Sequence, residues 1–205
     1  PGSIFLPGRG RAQRLWPNQM VILAGRISIL AALQTLLLAI AWLPLAASAL
    51  AADEYAIKAA YLYNFAKFVE WPPSAFIGDD APLHICIIND NSFGDALASL
   101  RGKTVGNHAV SVQALPSHSD GSGCHIVFIS RSQQPRLKNL LATFGKRPVL
   151  TVSDIEDFAQ AGGIIGLVEV EQRIHFTVNL AAMRRADLKL SSQLLKLATI
   201  VDEGN

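Results

Sequence analysis

LHICIIND, residues 83–90, is an apolar run of strand length that ends in an Asn-Asp pair. Its apolar residues are nearly continuous rather than alternating, which is typical of a strand buried on both faces of a sheet. CHIVFIS, residues 124–130, and PVLTVSD, residues 148–154, show the same character further along the chain. These three runs predict three buried strands.

Segments with helical character separate the three runs. The first predicted helix begins at Asp53 and Glu54, acidic residues suited to a helix start, and ends near residue 70 before Trp71-Pro72-Pro73. Further helices are predicted over FGDALASLRG (93–102), PRLKNLLATFG (135–145), IEDFAQAGG (155–163) and a long closing segment (180–201) with a break near Ala186-Asp187.

Two other segments have strand character. Residues 104–115 alternate enough to form a strand, and residues 164–179 predict a hairpin that turns near Glu171-Gln172. Strands that alternate with helices predict an α/β fold. We therefore expect a single-domain sandwich with a mostly parallel sheet and a late antiparallel hairpin, flanked by helices.

The first 52 residues contain no Asp or Glu. They carry four Arg residues, an apolar run over residues 27–43, and the small-residue stretch LAASALAA. This pattern is typical of a secretory signal peptide, with cleavage after Ala49 or Ala51 and a translation start at Met20. An uncleaved membrane anchor is the alternative, although seventeen residues are few for spanning a bilayer.

The predicted leader divides the chain into an extension with signal peptide, residues 1–51, and an exported α/β domain, residues 52–205. All sixteen acidic residues belong to the second part, against fourteen Lys and Arg, since four of the eighteen lie in the leader. A slightly acidic domain lacks the basic footprint of a nucleic-acid binder. It also has no further membrane-length segment, so we expect no membrane insertion of the mature domain.

Cys86 and Cys124 are the two cysteines of the chain. An even count in an exported protein predicts one disulfide, because such a protein meets an oxidising compartment after export. Both cysteines lie in or beside predicted buried strands. The alternative is a pair of buried free thiols that pack as small hydrophobic side chains.

Five phrases in this order resemble the YfiR-like family of bacterial periplasmic proteins. They are KAAYLYNFAKFVEWP (58–72), ICIIND (85–90), CHIVFIS (124–130), VLTVSDIEDFAQAGGIIGL (149–167) and RIHFTVNLAAMRRADLKLSSQLLKLA (173–198). The resemblance extends over about residues 55–201. It implies a non-catalytic, dimeric periplasmic protein that binds the periplasmic sensor region of a membrane diguanylate cyclase or related receptor. Such a protein represses the cyclase, and so lowers cyclic di-GMP and biofilm formation.

The resemblance also implies capture by an outer-membrane lipoprotein and a disulfide at the positions of Cys86 and Cys124. The best-known member carries a second cysteine pair between that position and the hairpin, and this chain has none there. A role of that second bridge in redox sensing therefore does not carry over to this chain.

The sequence contains none of the common motifs for a nucleophile elbow, a zinc protease or a phosphate loop. Its five histidines lack metal-ligand spacing, and a structural zinc site requires four ligands at short internal spacings. We therefore predict no catalytic residues, no metal and no cofactor.

Arg173 and His175 are candidate ligand-binding residues. Alternation along RIHFTVN places Arg173, His175 and Thr177 on the face opposite Ile174, Phe176 and Val178. A cation, an imidazole and a hydroxyl in a row suit an anion or carboxylate, whereas a plain solvated face is the alternative. The corresponding alternative function is a small-molecule binding module that senses such a ligand.

Asp154 is the third candidate, because it follows a predicted parallel strand at the edge where open α/β sheets bind ligands. The competing interpretation is an N-cap for the helix predicted after it.

The first predicted helix, which is rich in aromatic residues, carries the candidate partner contacts. Most of its aromatics share one apolar arc, while Tyr63 and Glu70 lie on the polar side and Trp71 lies at the Pro-Pro exit. Aromatic residues at such rims are common anchors in protein interfaces. We therefore predict Tyr63, Glu70 and Trp71 as contact residues.

Overall fold

The structure is a computed structural model that describes residues 54–89, 93–171, 173–202 and 204. The strands in these residues are β1 (Val69–Glu70), β2 (Leu83–Ile88), β3 (Thr104–Val105), β4 (His108–Leu115), β5 (Ile126–Ile129), β6 (Leu150–Ser153), β7 (Ile165–Val170), β8 (Arg173–Asn179), β9 (Lys189–Leu190) and β10 (Thr199–Val201). The helices are α1 (54–68), α2 (Gly94–Ala98), α3 (Leu137–Phe144), α4 (Leu180–Arg185) and α5 (Ser192–Leu195), with 3-10 turns at Pro73–Ala75 and Arg131–Arg136.

Eight strands form one sheet in the order β10-β8-β7-β6-β5-β2-β4-β3, and β1 pairs with β9 separately. Strands β4, β2, β5, β6 and β7 run parallel, β8 is antiparallel to β7, and β10 is parallel to β8. The predicted α/β fold, with a mostly parallel sheet and a late antiparallel hairpin, is confirmed. The two strands of the hairpin pair antiparallel up to Val170 and Arg173, and Gln172 of the predicted turn lies outside the described residues.

Both faces of the central strands are covered, which explains their continuous apolar runs. Helix α1 packs on one face, where Leu62, Phe65 and Ala66 belong to the same buried cluster as Ile85, Ile87 and Phe128. Helix α3 packs on the other face. The members of that second cluster include Leu137, Leu140 and Phe144 of α3 and Ile88, Val127 and Ile129 of the sheet.

Two helix predictions are wrong. Residues 155–163 form successive turns rather than a helix, since Asp157 has a positive φ of 53° that interrupts helical geometry. The closing segment does break at residues 186–187, where Asp187 has φ 53°. Beyond the break it forms strand β9, the short helix α5 and strand β10 instead of a second long helix.

Residues 104–115 form two strands rather than the predicted one. Gly106, with φ 58°, lies in the turn between β3 and β4, which pair antiparallel. A short hairpin at the edge of the sheet therefore replaces one continuous strand.

No helix in the described part of the chain is both long and apolar enough to cross a membrane. The predicted leader, with its start at Met20 and cleavage after Ala49 or Ala51, lies outside the described residues and stays a prediction.

Candidate functional site

A disulfide joins Cys86 of β2 to Cys124, just before β5, with the two Cα atoms 6.0 Å apart. The two strands are parallel neighbours, which brings their cysteines within bonding reach. The predicted bridge is confirmed, and the alternative of two free thiols is wrong.

A groove of about 680 Å³ lies between α1, β8 and α5. Its lining is mainly apolar. The lining residues are Ile57, Tyr61, Asn64, Phe65, Lys67, Phe68, Arg173, Ile174, His175, Phe176, Leu194 and Leu197. Among these described residues, the charged or ionisable groups other than the Tyr61 phenol are Lys67, Arg173 and His175, so the groove combines apolar walls with a basic rim.

Arg173 and His175 are both exposed on β8, while Phe176 and Val178 are buried. The predicted alternation of faces is therefore confirmed, and both candidate residues line the groove. Across the hairpin, Arg173 pairs with Val170 and His175 with Val168. Binding of a ligand by these side chains stays a prediction.

Asp154 is not in the groove. It follows β6, where its Oδ2 lies 2.6 Å from the Lys58 ammonium of α1 and 3.8 Å from Arg131 Nη2. The N-cap interpretation is wrong, since no helix follows, and the Ser153 hydroxyl instead accepts a hydrogen bond from the backbone N–H of Ile155. The structure thus separates Asp154 from Arg173 and His175.

Lys58 is the residue that sequence reasoning missed. Its side chain is only 3 % exposed, and its ammonium also pairs with Glu54 one helical turn earlier, at 2.6 Å. Burial by itself lowers the pKa of Lys58. The hydrogen bonds and charges of Asp154 and Glu54 together raise this pKa by more than burial lowers it, so the net shift is upward. The available signal was a lysine four residues after a glutamate, near the start of a helix with mostly apolar residues.

The three predicted contact residues lie outside the groove. The Tyr63 hydroxyl donates a hydrogen bond to the Thr104 carbonyl at 3.1 Å, and the Lys103 ammonium lies 4.8 Å from the Tyr63 ring centroid. Glu70 is exposed, and Trp71 is half-buried with its ring edge-on to another aromatic side chain. Their role in partner binding stays a prediction.

In the described residues, no group of three or more His, Cys, Asp or Glu could hold a metal ion. The side chains that do converge are the apolar lining of the groove and the basic residues at its rim. The candidate site is therefore an apolar groove with a basic rim, one wall of which is the helix that a buried ion pair fixes to the sheet.

Comparison with known protein families assigns the chain to one of them. Residues 55–199, well over half of the chain, match the family described as YfiR/HmsC-like. This family comprises regulatory, non-catalytic periplasmic proteins that act on diguanylate cyclase signalling. The resemblance inferred from the five sequence phrases is confirmed, and the chain belongs to the YfiR/HmsC-like family.

Proposed function

We propose that this chain binds the periplasmic sensor region of a membrane diguanylate cyclase and represses it, which lowers cyclic di-GMP and biofilm formation. The observation that carries this proposal is the family match over residues 55–199. The signal peptide predicted in residues 1–51 supports export to the periplasm. A homodimer and capture by an outer-membrane lipoprotein are further predictions from the same resemblance.

The groove is the surface best suited to a protein partner. Leu197 is 74 % exposed at its edge, and Ile57 on α1 is exposed as well. Exposed apolar side chains grouped in a groove are typical of interaction sites. The basic rim formed by Lys67 and Arg173 favours a partner segment with an apolar face and acidic flanks, because complementary charge steers association.

Binding of the purified protein to the purified periplasmic region of a candidate cyclase tests this docking surface. Leu197→Asp places a charge on the apolar wall, and we expect the Kd to rise by about tenfold or more. Ala142→Asp introduces the same charge at an exposed position of α3, a helix that packs on the other face of the sheet, and serves as the matched control. Equal binding of both variants would argue against the groove.

Deletion of the gene tests the regulatory role itself. We expect cyclic di-GMP to rise in the deletion strain and to return to its earlier level on complementation with the wild-type chain. Cyclic di-GMP that is unchanged after deletion, together with no binding of the purified protein to the periplasmic region of a candidate cyclase, would refute the proposed function.

A second candidate contact face lies away from the groove and contains Tyr63, Glu70 and Trp71. Glu70→Lys is the least disruptive test of this face, because Glu70 is exposed. Loss of receptor binding in this variant, with Leu197→Asp unaffected, would move the contact from the groove to the face that Glu70 marks.

A second candidate function is the sensing of a small anion or carboxylate. The observation that favours it is the presence of Arg173 and His175 along one apolar groove, whose volume is within the range of small-molecule sites. A thermal-shift screen with anionic metabolites should give a response that Arg173→Ala and His175→Ala abolish. Arg136→Ala, at an exposed cation outside the groove, is the control. No response across the screen would leave regulation by protein contact alone.

A further inference from the structure

Residues 71–82 join β1 to β2 and are fastened to the sheet by two histidines. The Nε2 of His125, the residue just before β5, lies 3.1 Å from the Ala75 carbonyl oxygen. The Nδ1 of His108, on β4, lies 2.7 Å from the Ala81 carbonyl oxygen. Each carbonyl accepts a hydrogen bond, so each imidazole must present an N–H to the segment.

Phe76 lies between the two imidazoles. Its ring stacks on His108 at 3.9 Å and 10°, and on His125 at 4.3 Å and 20°. Trp71 approaches the His125 ring edge-on, with centroids 6.3 Å apart. The imidazoles therefore hold the segment by stacking as well as by hydrogen bonds.

The hydrogen bonds of His125 require its neutral form. Its Nδ1 accepts the backbone N–H of His84 at 3.0 Å, while its Nε2–H serves Ala75. A second proton on the ring would occupy Nδ1 and leave the His84 N–H facing a donor. An unsatisfied buried donor and a buried charge both destabilise the closed segment.

The other groups that face His125 are basic or neutral. His84 of β2 stacks at a centroid distance of 5.9 Å, His108 is on the far side of Phe76, and Arg147 lines the small hollow beside Cys124 and His125. Asp79 and Asp80 are exposed in the segment itself, and in the described residues no ion pair joins either of them to a histidine. In the part of the domain that the structure describes, no carboxylate forms an ion pair with His125 that would stabilise an imidazolium.

We propose that the His125–Phe76–His108 stack makes residues 71–82 an acid-released segment, closed at neutral pH and opened when the His125 imidazole gains a proton. Opening uncovers Trp71, which is half-buried beside the stack and is one of the predicted contact residues. The link to partner binding rests on the proposed function, whereas the opening itself does not.

The direction of the pH effect follows from the environment of His125, whose side chain is 6 % exposed. Burial lowers the pKa of His125 from 6.5 to about 4; the hydrogen bond to Ala75 acts in the opposite direction, and His84 and His108 lower it further. An opened segment restores the ordinary value. The closed form is therefore fully favoured above pH 6.5 and loses this advantage as pH falls through about 4.

Hydrogen–deuterium exchange of the purified protein, analysed by peptide, tests the proposal. The amides of Ala75, Phe76 and Ala81 are hydrogen-bonded within the segment, and the amide of His84 is bonded to His125. After correction for intrinsic rates, we expect their protection to fall roughly 50-fold between pH 7 and pH 4.5, while β6 keeps its protection.

His125→Gln removes the titrating ring and should abolish this pH dependence. His108→Gln, the second variant should the first fold poorly, keeps His125 and should therefore keep the pH dependence. His118→Gln changes an exposed histidine outside the stack and should behave as the wild type. Unchanged protection over residues 71–84 in the wild type, or an equal loss in β6, would overturn the proposal. The measurement contains no partner, so it is independent of whether the receptor assay succeeds.

Discussion

Lys58→Met is the substitution whose effect the structure defines most closely. Methionine fits the buried space of the lysine stem but removes the ammonium that pairs with Asp154 and Glu54. Asp154, only 11 % exposed, is then left with the exposed Arg131 at 3.8 Å as its nearest cation. Its Oδ1 is already buried without a hydrogen-bond partner among protein groups, so the loss is not compensated locally.

The magnitude follows from which charge is left buried. Removing one partner of a buried ion pair costs about 3–5 kcal/mol. Glu54 is largely accessible and regains water, so one carboxylate accounts for the cost, and we expect the free energy of unfolding to fall by about 3 kcal/mol. In a domain of this size, a loss of that magnitude lowers the Tm by about 6–12 °C.

Urea unfolding of four proteins measures this: wild type, Lys58→Met, Asp154→Leu and the double variant. We expect each single variant to be destabilised and the double variant to recover most of the loss, because no unpaired charge remains buried. Single variants within about 0.5 kcal/mol of wild type, which is the usual range for surface positions, would refute the reasoning.

The pH dependence provides an independent check. The folded-state pKa of Lys58 is raised above 10.5, so the stabilisation is complete below pH 10.5 and is lost as pH rises through the raised value. The stability difference between wild type and Lys58→Met should therefore be constant from neutral pH to about pH 10 and narrow only above it. A difference that shrinks near neutral pH would contradict this assignment.

Three further predictions concern stability. Reduction of Cys86–Cys124, which closes a separation of 38 residues, should lower stability by about 4 kcal/mol, seen as a lower Tm with reductant. Gly163→Ala should cost about 1–3 kcal/mol, because a Cβ there overlaps the Phe158 ring; an unchanged urea midpoint would contradict it. Asn179→Ala removes the N-cap of α4 and a buried amide–carbonyl hydrogen bond, so calorimetry should show a loss of about 2 kcal/mol.

The central strands could be predicted because the residues of each strand indicate by themselves that the strand is buried. A strand covered on both faces needs a nearly continuous apolar run, and residues 83–88 and 126–129 supply one each. The prediction for the closing segment, residues 180–201, failed because its structure depends on a distant part of the chain. Leu190, Leu194 and Leu197 recur at helical spacing, but Lys189–Leu190 pairs with Val69–Glu70, a partner more than a hundred residues away. Local periodicity gives no information about pairing between residues so far apart in the chain.

The candidate site divides in the same way. Arg173 and His175 could be placed on one face from alternation alone, since a strand's two-residue period is a local property. The partner of Asp154 could not be found, because Lys58 precedes it by 96 residues and only the packing of α1 on the sheet brings them together. The histidine stack is also non-local: its rings come from β4, from the residue just before β5 and from the segment after β1.

Helix α1 connects the groove with the rest of the domain. Its first turns are held to the carboxyl end of β6 by Lys58, and its last residues continue into β1, which pairs with β9. The wall of the groove that α1 provides is thus fixed at both ends, while Ile57 at its outer edge stays exposed. A wall that is already ordered adds little conformational entropy cost when a partner docks. In the proposed docking, the role of the ion pair is therefore indirect: it keeps the apolar surface in place and does not touch the partner.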